Sequence, residues 1–165
     1  MNARNIALVA AAFSAAMLLG AFGFQFIGGL APCKLCIWQR WPHGLAAGLG
    51  IVILLLPWRS GAMRWLYLLG ASIVLFGAGV AFYHTGVEQH WWLGPTTCSS
   101  QPISGLSTDQ LMDQIFKAPL VRCDDIPWSL FGLSMAAWNF LMSMAITGMW
   151  LTAFRHAGHR AGHRG

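Results

Sequence analysis

Four long stretches of the chain carry no charged side chain. Asn5 to Cys33, Trp41 to Trp58, Trp65 to Val87 and Ile126 to Phe154 lack Asp, Glu, Lys and Arg over 29, 18, 23 and 29 residues. A helix that crosses a bilayer needs about 20 predominantly apolar residues, so each stretch reads as a span. The second only just qualifies, since 18 residues at ~1.5 Å each reach ~27 Å. The expected spans are roughly 6–27, 40–57, 65–84 and 130–153. None alternates apolar and polar residues as the strands of an outer-membrane barrel do. The first run follows Arg4 as a signal peptide would, but it exceeds the roughly 7–15 residues of an h-region, so it is expected to stay as a helix. The fold class expected is an all-α membrane protein, a four-transmembrane-helix bundle forming one domain over residues 1–165.

Composition agrees. Hydrophobic residues make up 56% of the chain and charged residues 9%, against about 25% charged in soluble domains. Disorder is excluded, because it needs low hydrophobicity and high charge. With four spans, both termini and the 58–64 loop share one side. That side holds Arg4, Arg59, Arg64, Arg155, Arg160 and Arg164 and no acid. The other side holds Lys34, Arg40, Lys117 and Arg122 with all five acids, Glu88, Asp109, Asp113, Asp124 and Asp125. An excess of Lys and Arg marks the cytoplasmic side. Loop 58–64 and the basic tail 155–165 are therefore expected in the cytoplasm, and loops 28–39 and 85–129 outside it. The net charge of +5 is thus a topology signal pointing to a lipid bilayer, with no nucleic acid partner expected. Trp38, Trp41, Trp58, Trp65 and Trp128 fall at expected span ends, as an aromatic belt requires. Gly44 and Gly48 form a GxxxG pattern on the second span, read as close helix packing.

All four cysteines fall on the outer side. Cys33 and Cys36 are in its first loop, Cys98 and Cys123 in its second. A Cys98–Cys123 bridge would close a long loop and be worth ~3.5 kcal/mol in the chain-entropy picture, whereas a Cys33–Cys36 bridge would give only ~2 kcal/mol before strain. The first pair therefore suits a structural staple and the second does not. C-x-x-C is instead the spacing of redox pairs, whose near partner resolves mixed disulfides. The readings in play are redox chemistry, structural disulfides, and a zinc site built from all four thiolates. Arg40, four residues after Cys36, lies one helical turn on if the second helix starts near Cys36. A guanidinium and a helix N-terminus both stabilise a thiolate. Pro42 leaves the helix start open, since proline favours the first helical turn. Arg40 as a snorkelling end-of-helix charge is the competing reading. His43, His84 and His90 lie near the outer interface and read first as polar interfacial residues, with a part in moving protons at that interface as the competing reading. His156, His159 and His163 belong to the basic tail.

The run Pro32-Cys33-Lys34-Leu35-Cys36-Ile37-Trp38-Gln39-Arg40 resembles the signature of DsbB-type disulfide-bond formation proteins. Tyr83-His84-Thr85-Gly86-Val87-Glu88, Gly94-Pro95-Thr96-Thr97-Cys98 and Phe131-Gly132-Leu133-Ser134-Met135-Ala136-Ala137-Trp138-Asn139 are similar to that family as well, and the likeness covers about residues 6 to 153. Gln39 stands where many members have Glu. In the vitamin K epoxide reductase family the loop cysteines precede the C-x-x-C, the reverse of the order here. The resemblance implies a bacterial inner-membrane enzyme with periplasmic cysteines. It would reoxidise a DsbA-like thioredoxin-fold periplasmic oxidase and pass the electrons to a membrane quinone, ubiquinone rather than menaquinone. It also implies the route. The partner attacks a Cys98–Cys123 disulfide and joins Cys98, Cys123 exchanges with Cys33, and Cys36 is released beside the quinone, with Arg40 and Cys36 as its binding residues. A DsbA–DsbB–quinone chain keeps the bacterial periplasm oxidising. The alternative is a four-span scaffold or binding protein with two permanent disulfides.

The second outer loop carries one more expected element. Ser107 to Gln110 is a capping-box pattern. Leu111, Met112, Ile115 and Phe116 then share one helical face, Asp113 and Lys117 form an i,i+4 pair, and Pro119 ends the run. A short amphipathic helix is expected there, lying on the membrane surface or on the protein's own outer face.

Overall fold

The computed structural model describes residues 2–57, 62–95, 98, 112, 116 and 121–162. Among them are four long helices, α1 (Ala3–Phe26), α2 (Lys34–Leu55), α3 (Ala62–Glu88) and α4 (Met135–Gly162). A two-stranded hairpin, β1 (Ser129–Leu130) and β2 (Leu133–Ser134), leads directly into α4.

Each helix packs on its sequence neighbours, and α1 also packs on α4, which closes the four into a bundle. Contacts at the two ends show that neighbours run antiparallel. At one end, Arg4 near the start of α1 donates to the Ile53 and Leu54 carbonyls near the end of α2, at 3.3 and 3.0 Å. At the same end, Arg64 in α3 lies 4.6 Å from the centre of the Phe154 ring in α4. At the other end, Cys33 just ahead of α2 meets His84 near the end of α3, and Glu88 at the end of α3 accepts from Ser134 just ahead of α4.

The interior is assembled from small side chains such as Ala7, Ala10 and Ala46, with Ile53, Val74 and the buried Trp150. The outer faces are apolar as well, and Leu19, Trp41, Leu55 and Phe76 are each more than two-thirds exposed. A surface built for water rarely carries such wide apolar area. Among the described residues, α1 and the Met63–Glu88 part of α3 are long and apolar enough to cross a membrane.

The helix ends differ from the expected spans, and local chemistry explains why. α2 starts at Lys34 because Cys33 caps it, and Pro42 lies inside the helix instead of opening it. Its ring is accommodated against α3 at Gly77, where a Cβ would fall 2.8 Å from that of Pro42. α4 starts at Met135, later than the charge-free run suggested, because residues 129–134 form the hairpin. Phe131 and Gly132 have φ of 52° and 77°, the positive pair that a two-residue type I′ turn requires. Close packing at Gly44 and Gly48 is not found. A Cβ on Gly44 would meet only Leu18, at 3.9 Å, and one on Gly48 nothing within 4 Å, whereas Gly50 abuts Ala11 of α1. The amphipathic helix expected at 107–117 lies outside the described residues, apart from Met112 and Phe116, both helical and exposed.

Candidate functional site

The C-x-x-C is folded onto the N-terminus of α2. Cys33 is the capping residue, and its Sγ accepts from the Cys36 backbone N–H at 3.3 Å. Both cysteines are free thiols, their sulfurs 3.0 Å apart, with the Cys33 thiol donating to Cys36. That bond, and then burial, push the Cys33 thiol up from its ordinary range. Cys36 therefore accepts charge-stabilising contacts at a helix N-terminus, where a thiolate is favoured.

Cys98 and Cys123 are joined in a disulfide across 25 residues, and the Cys123 N–H donates to the Cys98 carbonyl at 2.6 Å. Both are buried in one cluster with Cys33, Leu35 and Val87. The Cys33 sulfur, a His84 ring nitrogen and the Cys123 sulfur all lie within 4.8 Å of one another. The fold thus brings the two loop pairs together at Cys33 and Cys123, which are 90 positions apart in the chain. Cys98 and Cys123 are bonded to each other, so the four sulfurs form one bonded pair and two separate thiols. Cys33 and Cys36 are adjacent but unjoined.

A chain of polar side chains runs from this cluster into the bundle, and its hydrogen bonds have a fixed sense. The Gln39 amide nitrogen donates to the Leu35 carbonyl at 3.3 Å and to His84 Nδ1 at 2.7 Å. His84 Nδ1 is therefore the acceptor, and Nε2 carries the proton. That Nε2 lies 3.2 Å from the Cys123 carbonyl, 3.6 Å from Cys33 Sγ and 3.8 Å from Glu88 Oε1. The Gln39 carbonyl oxygen accepts from the Asn139 amide at 2.6 Å. Asn139 Oδ1 is then free to accept, and His43 Nε2 reaches it at 2.8 Å. Ser143 Oγ donates to the same oxygen at 3.3 Å. Glu88 is tied to α4 by the hydroxyl of Ser134, which also accepts from the Ala137 N–H at 3.2 Å in the first turn of α4.

Beside this chain lies a cavity of about 320 Å³, at the low end of the range for small-molecule sites. Its wall includes Met17, Ala21 and Phe24 of α1 and Met142 of α4, and its polar groups include Cys36, Arg40 and His43. Arg40 is held by α1, donating to Gln25 Oε1 at 2.5 Å and to the Ala21 carbonyl at 3.3 Å, with the Phe22 ring centre 5.0 Å away. An apolar chamber with a thiol, a guanidinium and the edge of a histidine ring fits an aromatic ligand bearing oxygen at its rim.

The structure brings Cys33, Cys98 and Cys123 into one buried cluster with the partly buried Cys36 packed against it, and Arg40 lies at the adjoining cavity. The roles of Gln39, His43, His84, Glu88 and Asn139 in one network were not read from the sequence. A signal was present: Gln39–His43, His84–Glu88 and Asn139–Ser143 are three polar i,i+4 pairs within or beside apolar runs, where polar residues are costly and face the bundle interior.

Residues 3–153 match the family described as disulfide bond formation protein DsbB. The chain is 32% identical over 153 residues to disulfide bond formation protein B of Methylococcus capsulatus, covering 88% of this chain and 90% of that one. It is 32% identical to the protein of the same name from Verminephrobacter eiseniae, over 95% of this chain and 88% of that one. A disulfide bond formation protein B 2 of Pseudomonas syringae is also 32% identical, over 84% of this chain and 79% of its own length.

Proposed function

The chain belongs to the DsbB family and is a membrane thiol oxidoreductase that works with a quinone to form disulfide bonds, and on that premise we propose the route the electrons take. One observation carries the route: the Cys33 and Cys123 sulfurs lie within 4.8 Å, within reach of a small shift to attack. A reduced partner, a DsbA-like thioredoxin-fold oxidase of the periplasm, attacks Cys98. The Cys98–Cys123 bond breaks, a partner–Cys98 bond forms, and Cys123 leaves as a thiolate. Cys123 attacks Cys33 of an oxidised Cys33–Cys36 pair and releases Cys36. The partner's second thiolate then breaks the mixed disulfide, and Cys98 recovers Cys123 and sets Cys33 free. Partner dithiol has become disulfide, and Cys33–Cys36 has become a dithiol. The form in the structure, with Cys98–Cys123 joined and Cys33 and Cys36 free, corresponds to that stage.

The quinone, when bound, supplies a two-electron, two-proton acceptor. The residues that would hold its ring are Cys36 and Arg40. A partner that is itself an oxidant near about −120 mV needs an acceptor still more oxidising, which favours ubiquinone over menaquinone. Cys33, the capping thiol, stays protonated against Cys36, so that Cys36 is the sulfur offered to the cavity. The frame proposed is four spans, with the cysteine end of the bundle in the periplasm and both termini in the cytoplasm.

The experiment is trapping. Cys33→Ala blocks the onward exchange and should leave the partner covalently held on Cys98, visible as a non-reducing gel shift that thiol reductant removes. Cys123→Ser should abolish partner oxidation, because Cys98 then has no disulfide to offer. Full partner oxidation after loss of any one of the four cysteines defeats the route.

A further inference from the structure

His43 is buried, with 4% of its surface exposed, and its Nδ1 has no hydrogen-bond partner. An unpaired polar atom in such a place is costly, and a ligand that pairs it recovers that cost. Its neighbours fix what kind of atom it is. The Leu35 carbonyl orients the Gln39 amide, Gln39 orients Asn139, and Asn139 then presents an oxygen to His43 Nε2. Nε2 must carry the proton, so Nδ1 carries a lone pair. His43 lines the same cavity as Cys36 and Arg40; with Nε2 engaged, Nδ1 is the one polar atom left on its ring, and because it is itself covered, a ligand hydroxyl reaches it as the side chains around the cavity give way.

A quinone ring has only acceptor oxygens, whereas its reduced form has hydroxyl donors. Arg40 suits the first, and a lone pair suits the second. We infer that His43 Nδ1 accepts a hydrogen bond from a hydroxyl of the reduced quinone, so that this cavity holds the quinol more tightly than the quinone. The inference rests on placing the quinone in this cavity. Tighter holding of the reduced form makes the bound acceptor a stronger oxidant by the same factor, since the two equilibria are linked. His43 is on this reading a product-side binding residue that helps draw electrons from Cys36.

The test uses the full chain in lipid nanodiscs with Cys36→Ser, which stops electron transfer. It is titrated separately with a short-chain benzoquinone and with its quinol. With His43 intact the quinol should bind more tightly. His43→Phe, which keeps a planar ring, should weaken quinol binding about tenfold, the effect of losing one hydrogen bond, and leave quinone binding within about twofold. Equal losses for both forms, or none, overturn the inference. Nitrogen-15 spectra of ring-labelled histidine need no His43 variant. They should show Nε2–H with a lone pair on Nδ1 that shifts on adding quinol, and a protonated Nδ1 would overturn the inference as well. Arg40→Ala separates the two levels. If it weakens both ligands while His43→Phe leaves the quinol preference intact, this inference alone fails. If Arg40→Ala changes neither affinity, the cavity is not the quinone site and both readings fall.

Discussion

Arg40 is in place before any ligand arrives. Gln25, the Ala21 carbonyl and the Phe22 ring fix its guanidinium against α1, so little side-chain entropy remains to be lost on binding. A planar fork with five donors can keep those contacts and still offer an N–H to an oxygen that gains charge during reduction. Arg40→Ala should therefore raise the quinone concentration needed for half-maximal rate and slow quinone reduction, together by about 10- to 100-fold, the value of a charge-assisted hydrogen bond. Arg40→Lys should recover only part. Quinone reduction measured against quinone concentration, with partner oxidation followed separately in a single turnover, checks this. Unchanged quinone kinetics in Arg40→Ala would leave Arg40 an anchor of α1 and put the quinone outside this cavity. Local spacing pointed to Cys33, Cys36 and Arg40, because C-x-x-C and an i,i+4 cation are local patterns, whereas roles for Cys98 and Cys123 came only with the family resemblance. The Gln39–Asn139 bond was not legible. It joins side chains 100 positions apart, and nothing local in either helix says which polar residue will face which.

The helices were legible from the gaps between charges, because a lipid-facing segment must avoid charge along its whole length. Their ends were not, because a cap and a two-residue turn set them. Close packing also escaped the GxxxG pattern, which does not say which face meets a neighbour. Gly70 illustrates the difference. A Cβ there would stand 2.6 Å from the indole carbons of Trp150, a side chain with 0% exposure at the contact of α3 with α4. Trp150 cannot retreat without moving α4, so Gly70→Ala should cost about 1–3 kcal/mol of stability by overpacking. Gly48→Ala meets nothing within 4 Å and should be neutral or gain up to about 1 kcal/mol from reduced backbone freedom. Thermal unfolding of the two variants in the same detergent, followed by circular dichroism, checks the contrast. Equal losses would mean that backbone freedom and not packing governs both sites.

At the scale of the whole molecule the bundle has two unlike ends. One gathers Cys33, Cys36, Cys98, Cys123, His84 and Glu88, together with Ser134. The other gathers Arg4 against the end of α2, and Arg64 against Phe154 and beside Gly158 of α4. The charge count along the sequence separates the same two sets, and the antiparallel packing of neighbouring helices provides the geometry for it. Disulfide chemistry needs an oxidising compartment, and an arginine-rich end is retained in the cytoplasm. Both arguments orient the molecule the same way, although they use different residues. Reporter fusions at Gly165 and within the 58–64 loop should therefore report cytoplasm, and a fusion near Gly105 should report periplasm. The two arguments can be set against each other by moving charge. Replacing Arg59 and Arg64 with Ser removes arginines of the second side and leaves every cysteine in place, so it should weaken the topology signal and raise the fraction of misoriented chains. Loss of partner oxidation should follow that fraction, since misoriented cysteines cannot meet a periplasmic partner. A periplasmic C-terminus in the unaltered chain would overturn the four-span frame. It would require that one of the bundle's helices does not cross the bilayer, and the second, with its 18 charge-free residues between Arg40 and Arg59, would be the first to suspect.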